Sequence, residues 1–128
     1  MSCSAGRAVL RVIDECSLID NARMVGAAMQ EALKRVAQKY DLVGDVRGRG
    51  LMMAAELVTD RRSKQPATEE THELFQLTRK HGLVASKSGV HRNVIRICPP
   101  LSIQLEDVAF FEQAIDASFA DLYAGVRA

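Results

Sequence analysis

The sequence predicts an α+β (mixed α/β) chain, with a small three- to four-stranded sheet covered by helices and a long amino-terminal helical segment. Three observations carry this. Apolar residues recur every three or four positions from Leu18 to Val36, the pattern changes to alternation from Gly50 to Val58, and a further short run, Val94 to Cys98, is stopped by Pro99-Pro100. The elements follow in the order helix, helix, strand, helix, strand, strand, helix, which suits one small sheet layered against helices.

From Ser4 to Asp14, residues Ala8, Val9, Val12 and Ile13 are apolar at helical spacing. A break falls near Cys16-Ser17. Leu18, Ala22, Val25, Met29, Leu33 and Val36 then form one stripe on a long helix ending near Tyr40, with Lys34, Arg35 and Lys39 in its last turns, where cations suit the helix dipole. Gly48 and Gly50 mark a turn entering the next strand. On that strand Leu51, Met53, Ala55 and Leu57 share one face and Met52, Ala54, Glu56 and Val58 the other. Both faces are largely apolar, so it should be central and covered on both sides.

Asp60 to Pro66 is a polar loop. Thr68 is the expected N-cap of a helix with Glu69 and Glu70 in its first turn, Arg79, Lys80 and His81 in its last, and Gly82 at C′. Leu74, Leu77 and Thr78 form its inner face. Leu83-Val84-Ala85-Ser86 reads as a short strand and 87–93 as a Gly-containing loop. The last helix carries Val108, Phe111, Ile115, Phe119 and Leu122 on one side, with Glu106 and Asp107 in its first turn.

Composition narrows the function classes. At 128 residues the chain fits one domain with a modest core, and 48% hydrophobic with 26% charged residues is ordinary for a globular protein. A net charge of +1 lacks the basic excess of a nucleic-acid binder, and without Trp there is little for base stacking. No apolar run approaches the ~20 residues of a membrane span. Neither nucleic acid nor membrane is therefore an expected partner. Cys3, Cys16 and Cys98 lack C-x-x-C spacing, and His72, His81 and His91 are scattered, so no disulfide framework or metal site is expected, and a reducing compartment fits best.

Arg96 shares a strand face with Val94 and Cys98, while Ile95 and Ile97 point the other way. Two readings stay open at this point: a surface arginine on a half-exposed sheet, or a guanidinium held on a rigid strand to grip a carboxylate bidentately. Lys87, in Ser86-Lys87-Ser88-Gly89, lacks the burial that would activate a Schiff-base lysine. Met52-Met53 is strand core. Glu56 could pair with a neighbouring arginine. Arg47 and Arg49 carry no catalytic expectation.

Gly44-Asp45-Val46-Arg47-Gly48-Arg49-Gly50-Leu51-Met52, followed after a helix by Asn93-Val94-Ile95-Arg96-Ile97-Cys98-Pro99-Pro100-Leu101, resembles the carboxy-terminal domain of class III, fold-type I aminotransferases. Within that family the first stretch is most similar to the alanine–glyoxylate aminotransferase 2 and β-alanine–pyruvate aminotransferase branch. The resemblance covers nearly the whole chain. It implies pyridoxal 5′-phosphate as cofactor and transfer of an amino group from an amino acid or ω-amino acid to a 2-oxo acid such as pyruvate or glyoxylate. Arg96 matches the arginine of an R-x-x-P-P-L-like segment that binds the substrate carboxylate. Lys87 falls in a G-L-L-V-G-K-G-G-like loop, from which the chain departs at Ala85, Ser86 and Ser88.

The family's Schiff-base lysine lies upstream, in a large domain, and nothing in the 128 residues resembles its segment. The resemblance therefore implies a helical segment, 1–40, leading from a missing cofactor domain, and a small domain, 41–128. It places no catalytic or cofactor-binding residue in this chain, which alone should bind no cofactor and be inactive. A homodimer is implied, in the cytoplasm, or in mitochondria where an amino terminus carries a targeting segment. The alternative from another class is a small α+β ligand-binding or regulatory module without catalysis.

Overall fold

The computed structural model describes residues 2–126. Helices α1 (Ser2–Glu15) and α2 (Leu18–Lys39) are separated where expected, at Cys16-Ser17, with Ser17 in the left-handed region at φ 49°. Strands β1 (Val43–Arg49) and β2 (Met52–Asp60) form a hairpin. A two-residue strand, β3 (Gln65–Pro66), pairs with the end of β2. Helix α3 (Thr68–Lys80), strands β4 (Ser86–Ser88) and β5 (Val94–Ile97), and helix α4 (Asp107–Val126) follow. All pairings are antiparallel and the main sheet runs β1-β2-β5-β4. The class is α+β as expected, with β3 added to the side of β2.

One core lies between the sheet and the helices. Val25, Met29, Leu33 and Val36 of α2, Met53, Ala55 and Leu57 of β2, Ile95 and Ile97 of β5, Leu74 of α3, and Phe111, Ile115, Phe119 and Leu122 of α4 are all buried. The two helical stripes read from the sequence are thus the inner faces of α2 and α4. Burying large apolar side chains of this kind contributes roughly 1.5–3 kcal/mol each against exposure. Tyr40 adds to the seam between α2 and α4: its ring stacks on Phe119 at 5.0 Å, and its hydroxyl donates to Asp116 Oδ1 at 3.1 Å.

Four local expectations are corrected. Residues 43–49 are a strand, not only a turn: β1 pairs with β2 from Val43↔Leu57 to Arg49↔Met52, with an irregularity between Val43 and Asp45. The turn itself is confined to Gly50-Leu51. Gly50 adopts φ +55°, and its carbonyl lies so close to Gly26 of α2 that a Cβ there would sit 2.3 Å from it.

The second correction concerns β2, which is central but has helices on one face only; the other face is open at Met52, while Val58 on it is 2% exposed. Its burial alternates, with Met52 68% exposed and Ala54 and Glu56 half-buried between buried Met53, Ala55 and Leu57. The helices α2, α3 and α4 all pack on the side of Met53, and nothing in the described residues forms a layer on the other. Third, pairing after α3 begins at Ser86, not Leu83, and Val84 is 88% exposed. Fourth, Thr68 is already helical. Ala67 occupies the N-cap, and Thr68 Oγ1 donates instead to the His91 carbonyl at 2.8 Å. At the other end of α3, Gly82 takes φ +79°, the left-handed C′ conformation expected of it.

Candidate functional site

Cross-strand partners in an antiparallel sheet point to the same face. Arg96 stands opposite Ala54 on β2 and Ser86 on β4, and Arg47 stands opposite Ala54 from the other side. The open face therefore carries a row Arg47–Ala54–Arg96–Ser86. The adjacent row is Asp45–Glu56–Val94–Ser88. The small side chains Ala54 and Ser86 flank Arg96, so its guanidinium is not crowded by its neighbours. Arg96 is exposed while the rest of its strand, Val94, Ile95 and Ile97, is buried.

The two arginines of this row differ in their company. Arg47 Nη1 donates to Asp45 Oδ2 at 2.7 Å and to Glu56 Oε2 at 2.6 Å. The bond to Asp45, and next that to Glu56, holds the Arg47 guanidinium above the ordinary arginine range, and so firmly charged. This answers the question the sequence left open about Glu56. Arg96 has no ion-pair or side-chain hydrogen-bond partner among the described residues. A cation without an internal partner on a rigid strand is available to an external anion, most naturally a carboxylate matched to its planar fork.

The end of the Arg96 strand is fixed from outside. β5 stops at Ile97, just before Pro99-Pro100. Past the prolines, the carbonyls of Leu101 and Ile103 accept bonds from Asn21 Nδ2 of α2 at 2.9 and 2.8 Å. Asn93 Nδ2, before the strand, donates to the Leu57 carbonyl at 2.9 Å. Both anchors were missed in the sequence, because a side-chain amide reaching across some 80 or 36 positions leaves no periodic signal.

Lys87 stands opposite Ile95, on the helix-covered face and away from Arg96. Its Nζ lies 2.6 Å from His72 Nδ1 and 5.1 Å from the centroid of the Phe75 ring. His81 Nε2 lies 3.0 Å from Asp121 Oδ2, which also accepts from Lys80. His91 and the thiols of Cys3, Cys16 and Cys98 are exposed. The structure thus brings none of the three histidines to the row of Arg96.

Residues 1–119 match the family model described as aminotransferase class-III. Among curated relatives, the alanine–glyoxylate aminotransferase 2 homolog 2, mitochondrial, of Arabidopsis thaliana is 43% identical over 122 residues, which is 95% of this chain and 26% of the relative. A leucine/methionine racemase of Thermococcus litoralis is 33% identical, over 94% of this chain and 27% of its own length. Among solved structures, an amine transaminase from an uncultivated Pseudomonas species, in its PLP-bound internal aldimine form, superposes with a TM-score of 0.86 at 34% identity. It is matched over 94% of this chain and 27% of its own. The chain spans about a quarter of the length of the relatives it matches.

Proposed function

The chain belongs to the class-III aminotransferase family, and from that premise we propose that it serves as the carboxylate-recognising part of a pyridoxal-phosphate-dependent aminotransferase. The family implies that cofactor. The residues present do not by themselves fit it. Lys34, Lys39 and Lys80 are engaged with Glu31, Asp116 and Asp121, Lys87 with His72, and Lys64 is exposed in the loop after β2. None is the buried, desolvated amine that Schiff-base chemistry needs. The amino-group chemistry accordingly belongs to residues outside this chain, and the isolated chain should be inactive.

What this chain supplies is position. Arg96 binds and orients the carboxylate of the amino donor or of the 2-oxo acid acceptor, such as pyruvate or glyoxylate. The anchors at Asn93 and Asn21 hold its strand at both ends, which limits the freedom lost when substrate binds. The observation that carries this reading is the contrast in one row of the sheet, where, among the described residues, Arg47 is paired with two carboxylates and Arg96 with none.

The same reading takes residues 1–40 as the helical lead from a cofactor domain and 41–128 as the small domain. Relatives about four times as long support it. The full-length protein would work as a homodimer. Two relatives bear the word mitochondrial in their names. The proposed compartment is the cytoplasm, or the mitochondrion given a targeting segment.

The racemase among the relatives shows that family membership alone does not fix the reaction. The test is therefore chemical. In the full-length protein, Arg96→Ala should selectively impair donors that carry a carboxylate and spare simple amines. Equal impairment of both would reject the assignment.

A further inference from the structure

Arg47 stands across a single small residue from Arg96. With Ala54 between them, their Cα atoms are two interstrand spacings apart, about 10 Å. Two arginine side chains extending from such positions could grip the two ends of a short dicarboxylate. Arg47 is a poor second anchor, because its Nη1 already donates to both Asp45 and Glu56, and one guanidinium with two carboxylates makes a cluster of net negative charge. Arg49, the other arginine of β1 on this face, lies in the next row, opposite the exposed Met52 side chain.

We propose that Asp45 and Glu56 act as specificity-determining residues: by occupying Arg47 they restrict the Arg96 site to 2-oxo acids and amino acids with a single carboxylate. This rests on the reading of Arg96 as the carboxylate anchor and names the substrate class that anchor selects. A second carboxylate entering this row meets two effects. It would meet a cluster in which two carboxylates outweigh one guanidinium, and to reach Nη1 it would have to displace Asp45 or Glu56, exchanging one charge-assisted contact for another with no net gain. A monocarboxylate needs only Arg96 and disturbs neither.

The pairing is a device of selection, because it contributes little to the fold. The side chains of Arg47, Asp45 and Glu56 are 51%, 54% and 36% exposed, and exposed ion pairs stabilise by a small fraction of a protein's total stability. Releasing Arg47 therefore leaves the sheet intact. The conservative variants Asp45→Asn and Glu56→Gln remove the charges while keeping the shapes.

The experiment follows the Nε–Hε resonances of ¹⁵N-arginine in the 128-residue chain during titration with pyruvate and, separately, with 2-oxoglutarate. In the unsubstituted chain pyruvate should move the Arg96 resonance, 2-oxoglutarate should do so more weakly, and neither should move Arg47. In Asp45→Asn/Glu56→Gln, 2-oxoglutarate should move Arg47 as well and bind roughly threefold to tenfold more tightly relative to pyruvate, the scale of one partly exposed ion pair. Adding Arg47→Met should return that ratio to its starting value. Glu56→Gln alone, the milder change, should give an intermediate ratio.

Three results would overturn the proposal: engagement of Arg47 by 2-oxoglutarate in the unsubstituted chain, no change of ratio in the released variants, or a gain that survives Arg47→Met. Absence of any Arg96 response to pyruvate would instead overturn the carboxylate role of Arg96 itself. The two failures are therefore distinguishable.

Discussion

Lys87 and Arg96 lie on opposite faces of the same small sheet: Lys87 faces helix α3, with its Nζ 2.6 Å from His72 Nδ1, and Arg96 faces the side that carries no helix among the described residues. The only lysine that the sequence places in a small-residue loop near the R-x-x-P-P-L-like segment is thus separated from it by the thickness of the sheet. Borohydride reduction of the chain with pyridoxal phosphate, followed by peptide mapping, should find no lysine labelled stoichiometrically. Quantitative labelling of Lys87 would contradict the assignment of the chemistry to residues outside this chain.

Ile95 and Ile97 flank Arg96 in sequence but point into the core, at 1% and 3% exposure. Truncation of either to Ala should cost about 2–5 kcal/mol of stability, read from the shift in the urea midpoint. Substrate preference of the full-length protein should not change. A changed ratio of amino-acid to amine turnover in these variants would mean that the strand's packing, and not Arg96, sets recognition.

Arg61 ties the end of α2 to the hairpin. Its Nη2 donates to the carbonyls of Ala37 and Tyr40 at 3.1 Å, and its Nε to those of Asp41 and Val43 at 3.2 and 3.1 Å. These include carbonyls at the helix end that lack a partner within the helix. Arg61→Ala should therefore destabilise the fold by about 1–3 kcal/mol in chemical denaturation, with Arg61→Lys recovering only part. No loss in Arg61→Ala would show that water replaces the guanidinium without cost.

Tyr40 gives the fold an alkaline limit. Burial first, and then its bond to Asp116, pushes its phenol up to about 12. A group whose folded value is raised contributes stability that is complete below its unfolded value, near 10, and is lost as pH rises toward the folded value. The urea midpoint should fall between pH 10 and pH 12, and Tyr40→Phe should flatten that fall. An unchanged alkaline profile in Tyr40→Phe would assign the effect elsewhere.

Much of the fold was legible because its signal is local and repeated. Val25, Met29, Leu33 and Val36, like Phe111, Ile115, Phe119 and Leu122, declare a buried helix face from spacing alone, and the structure buries all eight. β1 was hidden for a physical reason. Gly44, Asp45 and Gly48 are poor strand formers, and they are tolerated because β2 supplies the pairing along its length. The run Leu83-Val84-Ala85 has strand propensity, yet the ladder takes the three polar positions after it.

The open face was illegible for another reason. Apolar residues on both sides of β2 indicate that something should cover each side, but local sequence does not say whether the cover lies in the same chain. Arg96 could be picked out only through the resemblance, since strand spacing alone left it equal to any exposed arginine. Its freedom, and the capture of Arg47 by Asp45 and Glu56, needed the three strands in register.

The central claim, that Arg96 is the carboxylate anchor of a class-III aminotransferase, is tested most directly by steady-state kinetics of Arg96→Ala in the full-length protein with paired donors, an amino acid and its decarboxylated amine. Truncating one partner of a charge-assisted bidentate contact costs roughly 2–5 kcal/mol. The account predicts that kcat/KM for the amino acid falls by about 30-fold to several thousandfold, that the amine is affected far less, and that Arg96→Lys recovers only part of the loss. A loss for the amine as large as that for the amino acid would contradict it, and would make Arg96 a structural residue of the sheet.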